Sequence, residues 1–340
     1  MDETYLSSRQ QKILKLLATK SYSRIQLQKA LTEKVSKPTL FRDLKGLIAA
    51  GLVKSSGMGK ATVYRKIDQN PLLAPPAKKF SASGPTLFHF DIFDHCAHLF
   101  TPQEASHLHS IHKDLSVQLG RLDPTIAKRE LERFVIELAW KSSRIEGNTY
   151  SLLETETLIK TRREAAGHTK EEATMILNHT YAFDRIMEHR DKFKVLNVSD
   201  ITQLHNVLID HMSVTPGIRK HPVGITGSLF RPLDNEWQIR EALEKLIDAV
   251  NSSPYPLEKA LIIMAVLAYI QAFTDGNKRT SRMLANAVLM AYDYYPISYR
   301  VVDENVYKQA MIYFYEQNSL YEIKKILIAQ YEFAIDTYFR

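Results

Sequence analysis

A single cysteine, Cys96, is present among 340 residues. One thiol builds neither an internal disulfide framework nor a cysteine-rich zinc site, and such scarcity fits a reducing cytosol, so a cytoplasmic protein is expected. Long apolar runs are also missing. The longest, ALIIMAVLAYI at 260–270, falls short of the roughly 20 residues that a bilayer-spanning helix needs, so no membrane partner is expected. It reads as a buried core helix. The opening MDETYLSSRQQK is polar and acidic and offers no apolar core for a signal peptide.

Hydrophobic content of 45% and charged content of 24% are ordinary for globular chains. The length allows two or three domains, each with its own core. Charge is distributed unevenly. Residues 1–70 carry 14 Lys/Arg against 5 Asp/Glu, whereas the rest of the chain is close to neutral. A local excess of that kind points to a polyanionic partner for that segment.

Pattern sharpens the charge argument. SSRQQKILKLLATK and SRIQLQKALTEK carry apolar residues at helical spacing, and SKPTLFRDLKGLIAAG opens near Ser36 and Pro38 and closes at Gly51. Two β-prone runs, LVKSS and ATVYRKI, follow around the glycines of GMGK, which is a hairpin signal. Helices followed by a hairpin make a winged helix-turn-helix, and PTLFRDLKGLIAAGLV resembles such domains in bacterial transcriptional repressors. The resemblance implies that DNA is the partner of a domain at 1–67. The early third helix would face bases with Lys37, Thr39, Leu40, Arg42 and Asp43. Lys45, Lys60 and Arg65 would lie near phosphates. Winged helices also serve as protein-interaction modules, and that use stays open.

A break rich in Pro, Ser and Gly follows, with Pro71, Pro75, Pro76 and Pro85. Residues 68–87 read as an extended, semi-rigid linker. From 88 to 340 helical spacing prevails, and the fold class is mostly α: an all-α core preceded by a small α+β domain. The exception is KHPVGITGSLFRP, Lys220 to Pro232, which reads as a short β-hairpin flap.

Within AYIQAFTDGNKRTSRMLANAVL, a buried helix gives way to an amphipathic one through Thr274-Asp275-Gly276-Asn277. Such a turn presents backbone N–H groups at a helix N-terminus, where the dipole favours an anion. Arg279 and Arg282 share a helix face, so their guanidinium groups can grip adjacent phosphates. Asp275, the loop's carboxylate, suits Mg2+ held between phosphates.

These residues resemble the signature loop of Fic-domain proteins, H-x-F-x-[DE]-G-N-[GK]-R-x-x-R. Most Fic enzymes transfer AMP from ATP to a hydroxyl of a target protein. Phe273, Asp275, Gly276, Asn277, Lys278, Arg279 and Arg282 match over 271–282, and Gln271 replaces the histidine. The resemblance implies Mg2+ at Asp275 and ATP on Gly276, Asn277, Lys278, Arg279 and Arg282. It also implies a flap at 220–232 whose Val223, Ile225, Thr226 and Gly227 dock a protein target, or the chain itself, as an added strand. Ser142, Glu146 and Gly147 are similar to the family's inhibitory motif on a helix expected near 127–148, with Glu146 paired to Arg282. A glutamine amide takes no proton near neutral pH, so transfer should be weak or absent while nucleotide binding persists. His221 is the candidate substitute base, and His205 reads as a core residue. The alternative is a nucleotide- or ligand-responsive transcriptional regulator whose Fic fold only binds. The oligomeric state, a homodimer included, stays open.

Overall fold

The computed structural model describes residues 6–31, 35–49, 52–57, 59–66, 70–77, 84–119 and 123–338, without the side chains of Lys60 and residues 114–119. The chain divides into two units, Met1–Asn70 and Pro71–Arg340.

In the first unit, α1 (Ser8–Leu17) is followed by β1 (Tyr22–Ser23) and α2 (Arg24–Ala30). Ser7 and Ser23 cap the two helices, each in a reciprocal box with a glutamine three residues on. Next come α3 (Lys37–Ala49), β2 (Val53–Ser56) and β3 (Val63–Lys66). The strands form an antiparallel sheet in the order β1-β3-β2, with Val53 opposite Lys66 and Tyr22 opposite Tyr64. β2 and β3 occupy the two runs that read as a hairpin. β1 is too short to carry an alternating pattern, and the sequence does not reveal it.

Leu40, Leu44 and Leu47 of α3 enter a core with Ile13, Leu14, Leu17, Leu27 and Tyr64. That spacing turns Lys37, Phe41, Arg42, Lys45 and Ile48 outward. Two residues expected to face bases are placed otherwise. Leu40 is fully buried, and Asp43 accepts a fork from Arg9, at 2.5 Å from Nε and 3.2 Å from Nη2, that clasps α1 to α3.

In the second unit, residues 71–77 of the presumed linker are fastened to the helical body. Leu72 lies in its core, Leu320 N donates to Leu72 O at 2.6 Å, and Ala77 N donates to Gln317 Oε1 at 2.7 Å. β4 (Thr86–Leu87) precedes α4 (Pro102–Leu119), α5 (Pro124–Ile145), α6 (Leu152–Thr161), α7 (Lys170–Glu188) and α8 (Val198–Leu208). β5 (Phe230–Arg231), α9 (Glu236–Ser252), α10 (Pro256–Ile262), a π turn at Ile263–Leu267 and α11 (Ala268–Ile270) come next. α12 (Asn277–Ala291), α13 (Glu304–Gln317) and α14 (Tyr321–Thr337) complete the unit. Every residue from Pro256 to Phe273 is buried, so this apolar run is the core of the body.

The hairpin expected at Lys220–Pro232 is not there. Pro222 has no N–H to offer a ladder, and Gly227 sits at φ 81°, a turn conformation. Ser228 Oγ and Leu229 N both donate to Glu316 Oε1, at 2.7 and 3.0 Å. Only Phe230–Arg231 is strand, and it pairs in parallel with Thr86–Leu87. Rings hold that pairing, since Tyr269 stacks on Phe88 and on Phe230, 4.5 Å from each.

Candidate functional site

The helix running from α10 through the π turn to α11 ends at Gln271, which adopts the left-handed region at φ 51° and turns the chain into the loop. Its amide is committed at both ends. Nε2 donates to Ala268 O at 2.7 Å, and Oε1 accepts from Asn277 Nδ2 at 3.2 Å. Asn277 staples the loop further, donating to Phe273 O at 2.8 Å and accepting from Phe273 N at 2.9 Å. Gly276 precedes α12 at φ 80°, a conformation that favours glycine, and a Cβ there would sit tightly, 3.3 Å from Ile209 Cγ2. No side chain caps α12. Its first N–H groups are therefore the kind of donors that suit an anion.

Beneath the loop lies Arg219, which the sequence did not single out. Its Nε donates to Gln271 O at 2.6 Å, its Nη1 to His221 O at 2.7 Å, and its Nη2 to Leu233 O. The Arg219 backbone N also donates to Ala272 O at 3.0 Å. The guanidinium is satisfied by carbonyl oxygens. His205, expected in the core, is a second support. It is fully buried, and its ring stacks 3.7 Å from Phe273. Its Nε2 lies 3.0 Å from Asp275 O; a carbonyl can only accept, so Nε2 carries the proton. Burial first, and the charge of Arg279 with it, holds its pKa down at about 4, so the ring is neutral. His221 is exposed, and its carbonyl joins the network.

Arg279 and Arg282 do not present a shared open face. Arg279 is tied to Asp275 Oδ2 at 2.9 Å and to Leu208 O at 3.2 Å. Arg282 turns toward α5, donating from Nε to Ser142 Oγ at 3.0 Å and from Nη2 to Ser142 O at 2.9 Å. Their three-residue offset rotates the side chains about 60° apart around the helix, enough for separate partners.

α5 ends so as to deliver a carboxylate here. Gly147, at φ 101°, takes the left-handed position after the helix. Gly147 N then donates to Arg144 O at 3.0 Å and Asn148 N to Ser143 O at 3.1 Å, a Schellman end that fixes Glu146 at the last turn. Glu146 Oε2 lies 2.9 Å from Lys278 Nζ, and Oε1 lies 2.9 Å from Arg282 Nη2. A carboxylate at a helix C-terminus opposes the dipole, so it needs those cations. Burial pushes its pKa up, but Arg282 and Lys278 outweigh burial and bring it to about 2. Lys141 and Arg144, 2.5 and 3.3 Å from Glu304 Oε1, moor α5 to α13.

On the other residues expected to bind, Val223 and Ile225 are half-buried while Thr226 and Gly227 are exposed. In the first unit Lys37, Arg42, Lys45 and Arg65 are exposed and Thr39 half-buried; the Lys60 side chain lies outside the described residues.

Residues 195–289, which include the loop and α12, match the family model described as Fic/DOC family. They form a Fic/DOC-family domain. Proteins named protein adenylyltransferase Fic are similar to this chain. That of Drosophila willistoni is 30% identical over 156 residues, covering 45% of this chain and 31% of the relative. That of Nematostella vectensis is 28% identical over 189 residues, covering 53% and 43%. The chain thus spans less than half the length of the curated relatives it matches. Among solved structures, Fic-1 (residues 134–508) of C. elegans shares the fold at TM-score 0.59 and 20% identity, with 69% of this chain and 70% of that one covered. A Fic family protein of Desulfovibrio desulfuricans does so at TM-score 0.54 and 17% identity, with 70% and 74% covered. Among the described residues no helix of the Fic domain or elsewhere is long and apolar enough to cross a membrane.

Proposed function

We propose that the Fic domain binds an adenine nucleotide with Mg2+ at Asp275–Arg282, that Glu146 obstructs this site, and that AMP transfer is weak or absent. The observation that carries the reading is Glu146, held 2.9 Å from both Lys278 and Arg282. A terminal phosphate and this carboxylate would compete for the same guanidinium. Beside them, Gln271 spends its donor and acceptor on Ala268 and Asn277, and an amide accepts no proton from an attacking hydroxyl. Among the described residues no cluster of three ligating side chains exists. Asp275, with a side chain 63% exposed, would hold Mg2+ only together with nucleotide phosphates, which is ordinary for this ion.

For the first unit the proposal is a winged helix-turn-helix that binds DNA. The basic excess and the outward row Lys37, Arg42 and Lys45 on α3 support it. The whole would be a transcriptional regulator responsive to a nucleotide. The second reading, a slow adenylyltransferase acting on a protein target or on itself, is favoured by the names of the relatives.

Incubating the full chain, and Glu146→Gly, with labelled Mg2+-ATP, alone and with cell lysate, separates them. Tight nucleotide binding by Glu146→Gly without transferred label supports the proposal. Label transferred by the native chain overturns its binding-only part. Absence of nucleotide binding in both chains overturns it entirely.

A further inference from the structure

Behind the contact between α5 and Arg282 stands a residue that no motif includes. His179, on α7, is 1% exposed. Its Nδ1 lies 2.8 Å from Met175 O and its Nε2 lies 2.8 Å from Ser142 Oγ. Met175 O can only accept, so Nδ1 carries the ring proton and Nε2 offers a lone pair. Ser142 must then direct its hydroxyl proton to Nε2. That leaves the oxygen's lone pairs facing the other way, where Arg282 Nε donates at 3.0 Å. The donor and the acceptor of each link from Arg282 Nε through Ser142 and His179 to Met175 are thereby assigned.

The polarity matters because a serine hydroxyl rotates freely unless a neighbour fixes its proton. A proton turned toward Arg282 would abolish its Nε bond to the oxygen. The ring keeps its acceptor role because it stays neutral: burial, and to a lesser degree Arg279 and Arg282, hold it at about 3. Ser142 takes two bonds from Arg282, at Oγ and at its carbonyl. These aim the guanidinium plane at α5, where Glu146 waits at 2.9 Å.

We propose that His179 is a positioning residue for the obstruction, orienting Ser142 so that Arg282 is held against Glu146. It acts through Ser142 Oγ, the stronger of its two α5 contacts, since Ser143 Oγ lies 3.5 Å from Nδ1, which is already engaged by Met175 O. The proposal rests on the reading of Glu146 as an obstruction.

The test measures Mg2+-ATP affinity and melting temperature of the full chain for His179→Leu, which keeps bulk but removes the acceptor, and for His179→Gln, whose Oε1 can replace Nε2. His179→Leu should tighten nucleotide binding by about tenfold, the scale of one lost hydrogen bond in a buried series. His179→Gln should stay near the native value. In a Ser142→Ala background, His179→Leu should change the affinity less than about twofold, since the shared partner is gone. Nitrogen NMR of the native chain should show the proton on Nδ1.

Lowered stability without a change in affinity would make His179 merely structural and overturn the proposal. An equal tightening in the Ser142→Ala background, or a proton on Nε2, would also overturn it. Should His179→Leu fail to fold, Ser142→Ala decides: tighter binding supports the proposal and unchanged binding refutes it. Glu146→Gly separates the two readings. If it fails to tighten binding, the obstruction itself is refuted and this proposal with it. If it tightens binding while His179→Leu does not, only the positioning role falls.

Discussion

Glu146 Oε1 and Arg282 Nη2 stand 2.9 Å apart, yet the guanidinium already donates from Nε and Nη2 to Ser142, and Glu146 Oε1 accepts no well-aligned hydrogen bond. The pair is held by charge more than by direction. Arg282 Nη1 is also buried without a hydrogen-bond partner. Such a pair is easier to displace than a fork of two parallel bonds.

Glu146→Gly should therefore tighten Mg2+-ATP binding by about 10–100-fold, the value of one charge-assisted contact released. The unliganded variant should lose about 3 kcal/mol of stability, because Arg282 is left buried without its counter-charge. Calorimetric titration and thermal melting with and without nucleotide check both. Equal affinity in the two chains would remove the competition argument.

Arg219→Met should cost about 3 kcal/mol, since three carbonyl oxygens lose a charged donor. Denaturant unfolding reads the change. A loss below about 0.5 kcal/mol would mean that the Gln271 turn holds itself without this clamp.

Acid should unfold the chain from well above the carboxylate range. His179 and His205 are held at about 3 and about 4 against an ordinary 6.5, so the unfolded chain takes up protons that the native chain refuses. Their neutral burial costs nothing above pH 6.5, and stability falls as pH drops from there toward 4 and 3. The slope is up to about 1.4 kcal/mol per pH unit for each ring. Glu146, depressed to about 2, adds a loss in the same direction below its ordinary 4.5. Chemical denaturation from pH 8 to 4 measures it, and stability flat between pH 6.5 and 5 would contradict it.

For the N-terminal unit, DNA affinity should fall steeply with salt, and Lys45→Ala should reduce the salt slope by about one. Arg42→Ala should instead relax preference among sequences. Fluorescence anisotropy against duplexes at several salt concentrations distinguishes the two, and salt-independent or absent binding would favour a protein partner for this unit.

Much of the body was legible because its helices carry their own signals. α12 occupies Asn277–Ala291, opening at the turn that the loop sequence marks, and α5, expected near 127–148, occupies Pro124–Ile145, with Pro124 at its start and the Gly147 turn at its end. The Glu146–Arg282 approach was readable only through resemblance, since nothing local in either helix names the other. The segment 220–232 misled because β-branched residues around glycines suggest a hairpin. The aromatic stack on Tyr269 instead draws Phe230 to a strand from far upstream. Arg219 and His179 were invisible. Their partners are mostly backbone carbonyls and a serine brought together by the fold, and such contacts leave no spacing in a sequence.

The π turn at Ile263–Leu267 has a consequence for tolerance to length changes. It accommodates a residue beyond the regular α repeat, and each residue indexes a helix by about 100°. Gln271 leaves that helix four residues later. The azimuth at which the loop departs is thus geared to a buried segment upstream of it. Deleting one residue there would restore ordinary winding and swing the whole loop out of phase with Arg219, without altering a single residue of the loop itself.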